Sequence, residues 1–169
     1  MAGSSRIDGA RIEAEAGQKA ATVSFSVAGA IREAFGEEAW ERAYDAHDNL
    51  FKVRYGVRLR SGRRALGREV DSYRKAAIFW TRNPKLVNPM KDRRIWVQVS
   101  RNFEPVVPLS VEGVRAALFD FGERIPFDPE ALGRGTHRLD ADIWVSWQKH
   151  EYAEAESHKA GATGSVTLG

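Results

Sequence analysis

Lys52, Arg54, Arg58 and Arg60 occupy alternate positions of one short segment, with Gly56 in the gap and Arg63 and Arg64 just beyond. In an extended strand such residues project from one face about 6.6 Å apart, so the spacing predicts a regular row of cations. Most of them are Arg, whose planar fork pairs bidentately with phosphate and with carboxylate alike. The row therefore fits either a nucleic-acid backbone or an acidic protein surface. Tyr73, Phe79 and Trp80 follow closely enough in the chain to stack on bases, although no recognised RNA- or DNA-binding signature accompanies them. A plain solvated basic face is the competing reading.

The other candidates are weaker. Asp140 and Asp142 lie two apart on one face of a second alternating segment, close enough to share a metal, but no third ligand can be identified. His150 and His158 stand near Glu151, Glu154 and Glu156 without any recognised ligand spacing. There is no nucleophile elbow, Walker loop or dinucleotide fingerprint. With no cysteine there is no thiolate ligand and no thiol nucleophile. The sequence calls for no catalytic residue, no metal and no cofactor.

Charge is divided along the chain. Residues 51–101 hold 15 Lys/Arg against three Asp/Glu, residues 1–50 hold five against nine, and residues 102–169 hold six against eleven. A cationic centre between two weakly acidic flanks suggests a polyanion partner, or basic and acidic surfaces that meet within or between subunits. No apolar run approaches the ~20 residues of a membrane-spanning helix. The first residues lack the apolar block of a secretory signal, so a cytoplasmic or virion location is expected.

The elements that must carry these residues are mainly strands. Val23, Phe25 and Val27 alternate with serines over 21–28. Phe51, Val53, Tyr55, Val57 and Leu59 alternate with the cationic row. Leu139, Ala141, Ile143, Val145 and Trp147 alternate with Arg138, Asp140, Asp142, Trp144 and Ser146. Further strands are predicted over 76–81, 94–101, 114–121 and 165–168. One helix is predicted near 31–47, where Ile31, Phe35 and Ala39 recur every four residues, with Gly36 as a point of division. Strand parity turns Trp144 outward with Asp142, and Trp96 outward with Arg94. Both tryptophans thus become candidate anchors of a protein interface.

Leu132-Gly133-Arg134-Gly135-Thr136 precedes the last long strand, and this succession resembles the E–F corner of immunoglobulin-like β-sandwich domains. In that corner a tyrosine hydroxyl commonly ties the turn; His137 stands at the corresponding place. The resemblance covers about the last 60 residues and implies a fold only. The expectation is a mainly β protein: an antiparallel β-sandwich, immunoglobulin-like or jelly-roll, over residues 21–169, preceded by a polar arm over 1–20.

Three functions are compatible with these residues. The leading one is a non-enzymatic structural or assembly subunit, such as a capsid, tail or other particle component. It would form homo- or hetero-oligomers through charged surfaces and exposed tryptophans. The second is a nucleic-acid-binding protein that uses the basic 51–101 segment, and the third is a small enzyme whose site only the fold would assemble. The residues expected at a partner or polyanion surface are Lys52, Arg54, Arg58, Arg60, Arg63, Arg64, Trp96 and Trp144.

Overall fold

The computed structural model describes residues 7–15, 19–41, 52–78, 95–99, 102–105, 111–148 and 156–169. Nine strands dominate it: β1 (Asp8–Ala14), β2 (Ala20–Ser26), β3 (Lys52–Ser61), β4 (Arg64–Ile78), β5 (Ile95–Val99), β6 (Asn102–Pro105), β7 (Asp120–Pro126), β8 (Gly135–Gln148) and β9 (Glu156–Leu168). They form a three-stranded sheet in the order β1-β2-β7 and a six-stranded sheet in the order β6-β5-β4-β3-β8-β9. Every pairing is antiparallel. The protein is an antiparallel β-sandwich.

The inner layer follows from the period of two. Val53, Tyr55, Val57 and Leu59 of β3 are buried beside Leu139, Ala141, Ile143, Val145 and Trp147 of β8. From the smaller sheet Ala21, Val23, Phe25, Phe121 and Ile125 face them, and together they form one core. Phe25 and Phe121 stack at 4.8 Å, and the Tyr55 ring tilts onto Phe121 at 4.4 Å. Glycine permits a close approach between the sheets. A Cβ on Gly164 of β9 would lie 3.0 Å from the Ile12 Cβ of β1, so the missing side chain lets two backbones pack directly.

The described residues also form two helices, α1 (Ala28–Glu41) and α2 (Val111–Phe119). Gly36 interrupts α1 with φ 83° and ψ 173°, the division expected from the sequence. Positions 42–47 of the expected helix lie outside the described residues. The α2 helix corrects two expectations: residues 114–119 are helical rather than extended, and there is more than one helix. Its register is set by Val114 and Leu118, which are four apart and fully buried. Strand β7 begins only at Asp120.

Three more differences have physical causes. Asp8–Ala14, read from sequence as part of a polar arm, pairs with β2 because Ile7 and Ile12 insert into the core from an otherwise polar stretch. Strand β4 starts at Arg64 rather than near residue 76. Its register on β3 shifts between Val57 and Leu59, and Gly67 takes a left-handed φ of 69°, so its pattern loses alternation. Strand β9 starts at Glu156 rather than Ser165. Ala160, Gly161, Ala162 and Gly164 give little apolar contrast to read, although all pair with β8.

Trp147 is 1% exposed, and its ring stacks on His158 at 4.5 Å. Trp147→Ala is expected to cost about 3–5 kcal/mol, measured by denaturant unfolding. An unchanged midpoint would contradict the inward parity of β8.

Candidate interaction surface

Strand β3 carries the cationic row as the alternation requires. Lys52, Arg54 and Arg58 are exposed and Arg60 is half-buried, while the apolar residues between them are buried. The neighbouring strands supply partners for the row. Opposite β3, β8 places Trp144 beside Gly56, Asp142 beside Arg58 and Asp140 beside Arg60, and β4 places Asp71 beside Gly56 and Tyr73 beside Arg54. Positions that alternate on one strand thus meet positions of matching parity on the next two.

Each member of the row then finds a nearby group within the chain. The Arg54 guanidinium donates to both Asp71 carboxylate oxygens at 3.3 and 3.2 Å and lies 5.8 Å from the Trp144 ring. Arg60 donates to Asp142 at 2.9 and 3.3 Å and to the Gly62 carbonyl at 2.9 Å, and it lies 3.8 Å from Asp140. The Lys52 ammonium sits 4.8 Å from the Tyr73 ring. Arg58 acts on Asp142 through its field.

The Arg60 hydrogen bond holds the Asp142 carboxyl below its usual range, against a smaller desolvation effect, with the Arg60 and Arg58 charges adding to it. A depressed carboxylate pKa contributes stability above the ordinary carboxylate range and loses it as pH falls through the folded-state value. Because Asp142 is exposed, that contribution is small. The paired carboxylates Asp140 and Asp142 are thus engaged by arginine: Asp140 also accepts from Arg138 at 3.1 Å. Among the described residues no group of three or more His, Asp or Glu is placed to hold a metal ion.

Trp144 lies against its own sheet. A Cβ on Gly56 would fall 1.9 Å from Trp144 Nε1, so the indole covers the space that the glycine leaves open. Trp96 lies on β5, paired with Ala77 and Pro105. Its side chain falls outside the described residues, as do Phe79, Trp80, His150, Glu151 and Glu154.

Arg63 and Arg64 sit at the β3–β4 turn, where Gly62 has φ 60°. Arg64 Nη1 donates to the Ala131 carbonyl, and Ser61 Oγ donates to the Arg138 carbonyl at 2.8 Å. The turn is thereby tied to the segment leading into β8. In that segment His137 Nε2 contacts the Gly133 carbonyl at 3.0 Å, a side chain fastening a glycine turn.

A polar cluster between the sheets was not legible in the sequence. Arg74 points inward from β4, 14% exposed, and donates to the carbonyls of Ala117 at 3.1 Å and Asp120 at 2.6 Å. Its guanidinium lies 4.3 Å from the Phe121 ring and 3.9 Å from Glu123. The Tyr55 hydroxyl donates to Glu123 Oε1 at 2.5 Å. Burial pushes the Tyr55 phenol up to about 12, with the Glu123 hydrogen bond and charge adding to the effect. The cluster's other polar groups bond to one another and to backbone and so tie the two sheets together, while Arg74 Nε is buried without a hydrogen-bond partner among the described residues. The one signal available in advance was Arg74 itself, a charge on the inner face of a strand.

A groove of about 360 Å³ on the smaller sheet is lined by Asp8, Arg11, Ser24, Ser26 and Asp120. There the Ser26 hydroxyl donates to Asp120 at 2.5 Å and accepts from the Ala28 amide at 3.2 Å, which ties the start of α1 to β7.

The remaining feature is an edge. Strand β9 ends the six-stranded sheet, pairs with β8 through 13 consecutive residues without a register shift, and contains no proline. Its solvent face shows Ser157, Lys159, Gly161, Thr163, Ser165 and Thr167. Among the described residues no strand pairs with its other side. An edge of this length and regularity presents a row of backbone donors and acceptors to any extended partner.

Comparison of the chain with protein-family models, with curated proteins and with solved structures finds no match. No helix among the described residues is long and apolar enough to cross a membrane.

Two measurements check this geometry. Gly56→Ala is expected to destabilise the protein by about 1–3 kcal/mol by overpacking against Trp144, whereas in a Trp144→Ala background the same change is expected to be neutral or stabilising. Equal costs in both backgrounds would remove the indole–glycine contact. The Tyr55 phenol favours its protonated form in the fold, so this contribution is intact below pH 10 and is lost as pH rises towards 12. Phenolate absorbance should show a transition near pH 12 that is missing in Tyr55→Phe; an identical titration in the variant would contradict the assignment.

Proposed function

We propose that this chain is an assembly subunit, a β-sandwich building block that works by associating with other protein through the edge of its larger sheet. The single observation that carries this reading is β9, whose 13 residues form an unbulged and proline-free edge. Such an edge is normally protected by bulges, prolines, several charges or a covering segment; β9 has neither bulge nor proline, and β1 packs on its inner side where Gly164 meets Ile12. Along this one, Lys159 is the only cation and Glu156 the only carboxylate. Pairing by strand addition draws affinity from main-chain hydrogen bonds and leaves selection to the flanking side chains.

The outer face of the same sheet carries neither reading: Arg54 and Arg60 are paired within the chain, which removes the cationic row as an association surface and disfavours a polyanion track alike. Arg54 and Arg60 already hold carboxylates there, so phosphate would have to displace existing pairs to gain the same contacts. Mixed charge keeps the face soluble while the edge does the binding. The association surface therefore moves from the cationic row to the strand beyond β8.

Light scattering across a wide range of protein concentrations tests this directly. The expected result is a mass that rises above that of one chain as concentration increases. A strict monomer throughout would overturn the reading, and a monomer retained on immobilised DNA in a salt-dependent way would replace it with nucleic-acid binding.

A further inference from the structure

We infer that the partner of β9 is the β9 strand of a second copy of this chain, running antiparallel across a two-fold axis near Ala162. This rests on the assembly reading above and names the partner and the geometry.

The other strand edges of the molecule are the first argument. In the larger sheet the far edge is β6, four residues long and ending on Pro105, which has no amide hydrogen to donate. In the smaller sheet β1 is broken by a register shift between Asp8 and Arg11, with Gly9 at φ 63°. Strand β7 ends on Pro126, whose carbonyl is covered by the β4 bulge: a Cβ on Gly67 would lie 2.3 Å from it. Head-to-tail addition of copies needs two open edges of different sequence. Among the described residues β9 is the one long, regular edge, so the pairing that uses it fully in both copies is isologous.

Side-chain matching is the second argument. With the axis at Ala162, the solvent face sets Ser157 against the partner's Thr167, Lys159 against the partner's Ser165 and Gly161 against the partner's Thr163. No like charges oppose one another, and hydroxyl pairs are favourable cross-strand neighbours. On the inner face Ala160 meets the partner's Gly164, so small residues flank the axis and the strands can approach without a steric block. Such a junction forms about a dozen backbone hydrogen bonds, since alternate antiparallel pairs each exchange two.

The absence of cysteine makes a clean test possible. In the Gly161→Cys/Thr163→Cys variant each introduced thiol faces its counterpart across the axis at the separation of directly opposed residues, within disulfide reach. Mild oxidation should convert most of the full-length chain to a covalent dimer, whereas a control Lys52→Cys on β3 should give only traces. Independently, Thr163→Lys brings two lysines together at the axis while setting each beside its own Asp140. It should weaken self-association roughly tenfold with little change in melting temperature. Oligomers that form without the cross-link and ignore Thr163→Lys would overturn the β9 pairing and, with it, the sheet edge as the site of association, leaving only self-assembly through another surface. A strict monomer would overturn both, and mass growing without limit would overturn the closed two-fold.

Discussion

The register of β3 on β8 is the constraint on which the rest of the structure depends. From Lys52 opposite Gln148 to Arg60 opposite Asp140 it runs without a shift, and it sets both faces of the larger sheet at once. Inside, it aligns Val53, Tyr55, Val57 and Leu59 with Trp147, Val145, Ile143 and Ala141, the centre of the core. Outside, it sets Arg58 and Arg60 against Asp142 and Asp140, and the Trp144 ring over Gly56. A slip of one residue would turn the cations into the core and the apolar row into water, at a cost far above any surface interaction. Hydrophobic burial fixes the register, and the charge ladder follows from it.

The same constraint explains how a cationic segment becomes a balanced surface. Fifteen basic residues against three acidic ones over 51–101 make that stretch a cation along the chain. In space, however, its outer face borders the acidic C-terminal third, because β8 lies beside β3. Individual pairs such as Arg54–Asp71 and Arg60–Asp142 are exposed and add little stability. They also occupy the arginine forks that a phosphate or a foreign carboxylate would need. Among the described residues no strand pairs with the outer side of β9, a feature that linear charge counts do not reveal.

Much of the fold was legible, wherever one face of an element is apolar. The alternation in β2, β3 and β8 marks those strands within one or two residues, and Gly36 marks the break in α1. Legibility fails where another physical term replaces apolar contrast. The small residues of β9 hide a 13-residue strand, and the Gly67 bulge with the inward Arg74 hides β4. In α2, Val114 and Leu118 fit a helix, but Val111, Val114, Leu118 and Phe119 are equally acceptable in a strand. Of the site residues, the parity of the cationic row could be read in advance, but its pairing depended on strand order. Strand order is a long-range property that one sequence does not display.

In the proposed assembly a partner fills the outer edge of β9, which no described strand pairs within the single chain. Backbone amide exchange, followed residue by residue at several protein concentrations, reads this most directly, because alternate amides of an edge strand point away from their sheet. The account predicts that those alternate β9 amides exchange freely in dilute solution and become protected as concentration rises, while β3 amides stay protected throughout. Alternate β9 amides that remain unprotected at every concentration would contradict it.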